Sequence, residues 1–85
     1  RQFYFYSCMM EQNVEELKLK GNDAFVHKDY ISAIKYYSDA LVLDPKNFTL
    51  FSNRCSAYYA LEKFREASND AKQSIIINPE FGKVN

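Results

Sequence analysis

Four side chains are candidate donors for an anion: Lys18, Asn22, Asn53 and Lys83. Lys18 and Asn22 are four residues apart, which on a helix makes them neighbours on one face. Asn22 and Asn53 fall inside helical stretches, where Asn is a poor helix former and no cap or turn accounts for it. Ammonium and amide donors held on rigid helices suit carboxylates, because charge-assisted bonds are strong and little ordering entropy is lost on binding. A lysine on an exposed helix face is ordinarily only solvated, so the two asparagines carry more weight than the two lysines.

Nothing comparable speaks for catalysis. The single histidine, His27, ends a helical stretch and reads as a C-terminal cation or a turn residue, with no nucleophile set beside it. Cys8 and Cys55 lie far apart, without a CxxC or a histidine at ligand spacing, so neither a zinc site nor a disulfide framework is expected. Cys55 is expected to be buried as a structural thiol, leaving Cys8 the more readily alkylated of the two. There is no Gly-rich phosphate loop and no paired acidic motif. The reading is of a binding module, with no enzyme activity, metal or cofactor expected.

Composition limits the partners. Of 85 residues, 47% are hydrophobic and 16% aromatic, with only two Gly and two Pro, which excludes disorder and a turn-rich all-β fold and points to helix. Eleven basic side chains balance eleven acidic ones. That lacks the basic excess a sequence-blind nucleic-acid binder needs. The apolar stretch Phe3-Tyr4-Phe5-Tyr6 is far short of a membrane span and leads to no signal-peptide cleavage site. A reducing, cytoplasmic location is expected.

The elements that must hold the four donors emerge from an internal repeat. An offset of 34 residues brings Ala33 onto Ala67 and Pro45 onto Pro79. It also aligns Leu17 with Phe51, Phe25 with Tyr59, Tyr30 with Phe64 and Leu41 with Ile75. Each unit reads as two helices joined by a tight turn. The first runs from Val14 to about His27, with Glu15 and Glu16 in its first turn, where they suit the helix dipole. The second runs from Tyr30 to Leu43 and stops at Asp44-Pro45, since the residue before Pro is pushed out of helical geometry. Leu50, Phe51, Ala57, Tyr58 and Leu61 mark a third helix. Phe64, Ala67, Ala71 and Ile75, with Ser74, mark a fourth, ended by Asn78-Pro79, and a fifth is expected from about Glu80. Gly21, Ala33, Ala40, Ala67 and Ala71 allow close helix approach, while Phe25, Tyr30, Tyr59 and Phe64 are expected to fill the space between helices.

This spelling resembles the tetratricopeptide repeat (TPR) family. Gly21, Tyr30, Ala33, Tyr37, Ala40 and Pro45 match its pattern in the first unit, and Tyr58, Phe64, Ala67 and Pro79 in the second, while Cys55 and Ser74 stand where Gly and Ala are commoner. The stretches Glu16-Leu17-Lys18-Leu19-Lys20-Gly21-Asn22, Phe51-Ser52-Asn53-Arg54 and Phe81-Gly82-Lys83 are similar to those of its carboxylate-clamp subfamily, as in the first such domain of Hsp-organising co-chaperones. The resemblance implies an all-α solenoid of antiparallel helix hairpins: a leader over 1–13, repeat one over 14–47, repeat two over 48–81 and the start of a third over 82–85. It also implies a co-chaperone role, with Lys18, Asn22, Asn53 and Lys83 holding the C-terminal Glu-Glu-Val-Asp tail of a heat-shock protein 90 or 70 type chaperone. The subfamily uses a further basic residue one turn beyond the position of Lys83, and the sequence stops at Asn85, so weakened binding is expected. The alternative is a TPR scaffold that binds an internal peptide or self-associates, without recognising a carboxylate tail.

Stacked repeats bury their apolar faces only against neighbours. The outer face of the second unit, drawn from Tyr58, Tyr59, Ile75, Ile76 and Ile77, therefore calls for a cover: the aromatic leader, or a second copy in a homo-oligomer or helix-exchanged dimer. Sedimentation at micromolar concentration tests this, a strictly monomeric species indifferent to loss of residues 1–9 being the contrary result.

Overall fold

A computed structural model describes residues 13–79, which form four helices: α1 (Val14–Val26), α2 (Tyr30–Leu43), α3 (Phe48–Ala60) and α4 (Phe64–Ile77). The expected leader with Cys8, the fifth helix from Glu80 and the donor Lys83 lie outside the described residues. Helices α1 and α2 pack as one hairpin, α3 and α4 as a second, and α2 against α3 joins the two. The all-α hairpin repeat expected from the 34-residue offset is the fold. No helix among the described residues is long and apolar enough to cross a membrane.

Local chemistry sets the helix starts. Asn13 Oδ1 accepts the Glu16 N–H at 2.8 Å, Asp29 Oδ1 accepts that of Ser32 at 3.3 Å, and Asn47 Oδ1 accepts those of Thr49 and Leu50 at 3.1 and 3.3 Å. Each bond satisfies a donor that the first helical turn leaves without an intrahelical partner. The cap at Asn47 explains why α3 begins at Phe48, two residues before the first apolar marker at Leu50. Helix α4 has Lys63 at its N-cap and no side-chain capping bond.

The two hairpin turns are copies of each other. Lys28 and Glu62 adopt positive φ, 65° and 64°. Around the first, Lys28 N–H donates to Phe25 O and Asp29 N–H to Ala24 O. Around the second, Glu62 N–H donates to Tyr59 O and Lys63 N–H to Tyr58 O, all four bonds being 2.8–2.9 Å. A left-handed residue just past a helix end closes the last turn in this way, and the matching geometry shows that the repeat extends to the backbone.

The core is a row of small residues with a few large ones set into it. Leu17, Ala24, Ala33, Tyr37, Ala40, Leu41, Leu50 and Ala57 form one buried cluster. Alanines at the helix contacts bring the backbones close, so a single ring, that of Tyr37, can span the space between helices. It lies against Gly21, where a Cβ would come within 2.5 Å of Tyr37 Cε1.

Three expectations about burial need correction. Helix α4 buries Ala67 and Ser74, as expected, but also Asp70, whereas Ala71 is half-buried and Ile75 is exposed. Asp70 and Ser74 belong on this face because each has a partner across it. Tyr59 and Phe64 are exposed, at 65% and 54%. They meet edge to face at 5.2 Å, as Phe25 and half-buried Tyr30 do one repeat earlier, but in the second unit the pair lies on the surface instead of filling the interior. Cys55 is half-buried, because it sits on α3 outside the contact lines of Leu50 and Ala57. Of the outer apolar face, Tyr59, Ile75 and Ile76 are exposed, while Tyr58 and Ile77 are half-buried.

Candidate carboxylate-binding recess

Asn22 on α1 and Asn53 on α3 line one recess of about 240 Å³, together with Phe25, Val26, Tyr37 and Ser56. These asparagines come from the first helices of successive hairpins, so the stacking of α3 beside the first hairpin brings two amides to one surface. Phe25 and Val26 make part of its wall apolar. Lys18 lies one helical turn before Asn22 and outside the lining. Its ammonium is 3.7 Å from Glu15 Oε1; Lys18 is half-buried and Glu15 exposed, and at this distance the pair is weak, worth at most about 1 kcal/mol.

A larger recess of about 530 Å³ lies on α1 and α2, and it suits a carboxylate poorly. Glu16, Asp23 and Asp29 line it against the single cation Lys20, so its field repels anions. Among the described residues, no group of three His, Cys, Asp or Glu side chains is placed to hold a metal ion.

The two amides differ in their surroundings. The Tyr37 hydroxyl donates to Asn22 Oδ1. Asn53 is half-buried, and none of the described residues hydrogen-bonds to its side chain. In the sequence Tyr37 stands out only as a match to the repeat pattern. A hydroxyl on a fully buried ring was the available signal, since such a group must find a partner.

Beside Asn53, Arg54 points into the protein. Its Nε and Nη2 donate to Asp70 Oδ2 and Oδ1, both at 2.8 Å, and its Nη1 donates to Ser38 Oγ at 2.9 Å. Its guanidinium carbon lies 5.7 Å from the ring centres of Phe51 and Tyr58. One fork thus joins α3 to α4 and to α2, fixing the helix that carries Asn53. The paired hydrogen bonds that Arg54 donates to Asp70 raise the Arg54 pKa further, outweighing the opposing effect of burial. Ser74 adds a second tie, donating to Phe48 O at 2.9 Å at the start of α3. A lone acidic residue on the Ala67–Ser74 face was the sequence signal for this network.

Burial also pushes two acidic protons up in pKa. Desolvation raises the Tyr37 phenol, and desolvation followed by the Asp70 charge raises the Cys55 thiol. In each case the unfolded chain gives up its proton first, so stability is fully present below the unfolded pKa and falls as pH rises beyond it. The fall is expected to begin above pH 9.0 for Cys55 and above pH 10.0 for Tyr37, the ordinary values of the two groups. Urea denaturation between about pH 9 and 11 should therefore give a shallower stability loss for Tyr37→Phe than for the unaltered chain. Equal slopes would contradict it.

Helix hairpins repeated every 34 residues, with small residues where the helices meet, define a tetratricopeptide fold. No protein-family model matches the chain. Individual proteins do match: it is 44% identical over 72 residues to the Protein STIP1 homolog of Dictyostelium discoideum, and 41% identical over 75 residues to Heat shock protein STI1 of Saccharomyces cerevisiae. Those alignments cover 85% and 87% of this chain and 13% of each relative, so the chain spans about an eighth of their length. Among solved structures, the first TPR of Spaghetti (RPAP3) bound to the HSP90 peptide SRMEEVD superposes with a TM-score of 0.80 at 37% identity, covering 82% of this chain and 56% of that one. The Sgt2 TPR domain from Aspergillus fumigatus gives 0.79 at 35% identity, covering 80% and 45%. The chain belongs to the tetratricopeptide repeat family, in the type found in STI1-like Hsp70-Hsp90 organizing proteins.

Proposed function

We propose that the chain is a co-chaperone interaction module that binds the C-terminal Glu-Glu-Val-Asp tail of a heat-shock protein 90 or 70 type chaperone in the cytoplasm. In this reading Lys18, Asn22, Asn53 and Lys83 hold the terminal carboxylates. The observation that carries it is the meeting of Asn22 and Asn53, from equivalent helices of two hairpins, in one recess with a partly apolar wall. A relative of the same fold holds an HSP90 peptide that ends in these four residues. A terminal aspartate presents two carboxylates, and a residue preceding it can rest its aliphatic side chain on Phe25 and Val26. The amides supply directed donors while Lys18, exchanging Glu15 for the ligand, supplies charge.

Calorimetric titration of the 85-residue chain with Ser-Arg-Met-Glu-Glu-Val-Asp, free and C-terminally amidated, tests this reading. Amidation removes one negative charge and its hydrogen bonds, a loss of about 1.5–3 kcal/mol, so the amidated peptide should bind about tenfold more weakly or worse. Equal affinity for both peptides would favour recognition of an internal segment, and no binding of either would contradict the proposal.

A further inference from the structure

We infer that Tyr37 is a positioning residue for the recess: its hydroxyl holds Asn22 Oδ1, so that the Nδ2 donors of the same amide face the ligand. This rests on the carboxylate reading above and adds to it a residue on the second helix of the hairpin.

A side-chain amide has an accepting end and a donating end, and only the donating end attracts a carboxylate. An amide free to turn about its last bond must be ordered when the ligand arrives, whereas one already held loses less entropy. Tyr37 can hold Asn22 because its own position is fixed. The ring is 1% exposed, and one edge rests on Gly21, where even a methyl group would overlap it. Gly21 thus lets the ring reach far enough along α1 for its hydroxyl to meet the next residue. Donation to Oδ1 also polarises the amide and strengthens its N–H groups as donors. Asn53 has no such partner among the described residues, so the two amides are unequally prepared, and Asn22 is the one set before binding.

The test is a double-substitution cycle in the 85-residue chain, titrated with Ser-Arg-Met-Glu-Glu-Val-Asp carrying a free or an amidated C-terminus. Tyr37→Phe keeps the ring against Gly21 and removes only the hydroxyl. It should weaken binding of the free peptide about three- to tenfold and leave the amidated peptide unchanged. Asn22→Ala should weaken free-peptide binding about tenfold, and the double variant should match Asn22→Ala to within about twofold, because Tyr37 acts through that amide alone. Tyr36→Phe, a hydroxyl loss outside the recess, serves as the control and should bind as the unaltered chain does. In the unaltered chain, the Tyr37 hydroxyl proton should be slow enough in exchange to be seen by NMR, a readout that needs no variant to fold.

Full free-peptide affinity in Tyr37→Phe would overturn the inference, as would a double variant weaker than Asn22→Ala by the whole Tyr37→Phe effect, or a freely exchanging hydroxyl proton. If the unaltered chain itself fails to distinguish free from amidated peptide, the carboxylate reading falls and this inference falls with it.

Discussion

Asp70→Asn is expected to lower the unfolding free energy by about 3 kcal/mol, the lower end of the cost of removing one member of a buried ion pair. The substitution preserves shape but withdraws the charge that both Arg54 Nε and Nη2 address. What remains is a guanidinium with one neutral amide oxygen in place of the carboxylate, one hydroxyl partner, Ser38, and two ring faces, in a site where its side chain is only 20% exposed. That residual exposure keeps the estimate at the lower end, since water can partly solvate the abandoned charge. A domain of this length has a total stability on the order of 5–10 kcal/mol, so the urea midpoint should fall by a third or more. Replacing both partners, as in Arg54→Met with Asp70→Leu, should recover most of the loss, because no charge is then left unpaired. A midpoint unmoved by Asp70→Asn would show that the fork does not hold α3 to α4.

Gly21→Ala is the second large effect, and it couples stability to binding. Carbon atoms pack at about 3.5–4.0 Å, whereas the new Cβ would lie 2.5 Å from Tyr37 Cε1 and 2.8 Å from Cδ1. The ring, buried within the core cluster, must move by about 1 Å against close packing, which costs about 1–3 kcal/mol. Displacing it also breaks the hydroxyl bond to Asn22, adding about 1 kcal/mol. The gain in helix propensity from Gly to Ala, up to about 1 kcal/mol, offsets only part of this. A net loss of about 1–3 kcal/mol in urea denaturation is expected, together with weaker binding of the free-carboxylate peptide. A stabilised variant would mean that helix propensity outweighs the contact and that Tyr37 has room to shift.

Much of the architecture was legible because its determinants are local. Asp44-Pro45 and Asn78-Pro79 mark the ends of α2 and α4 through the steric demand of proline, and the 34-residue offset fixed which helices correspond. Asn22 and Asn53 were legible because Asn inside a helix calls for an explanation that periodicity cannot supply. The Arg54–Asp70 fork was not, since a periodicity reading assigns charged residues to the outside and the pairing spans two helices. Tyr37 was seen as a ring and its hydroxyl overlooked, for a related reason: the partner lies on another helix, so no spacing rule connects them. Tyr59 and Phe64 show the opposite error. Their match to Phe25 and Tyr30 implied interior positions, but whether a repeat's aromatic pair is buried depends on what packs beside that repeat.

The most direct measurement is an NMR titration that follows the side-chain amide resonances of Asn22 and Asn53 while Ser-Arg-Met-Glu-Glu-Val-Asp is added with a free or an amidated C-terminus. Both amides should shift together, saturating at the same peptide concentration, with the free peptide, and the amidated one should move them far less at equal concentration. Shifts confined to one amide, or the same shifts with both peptides, would contradict a terminal carboxylate gripped jointly from two hairpins.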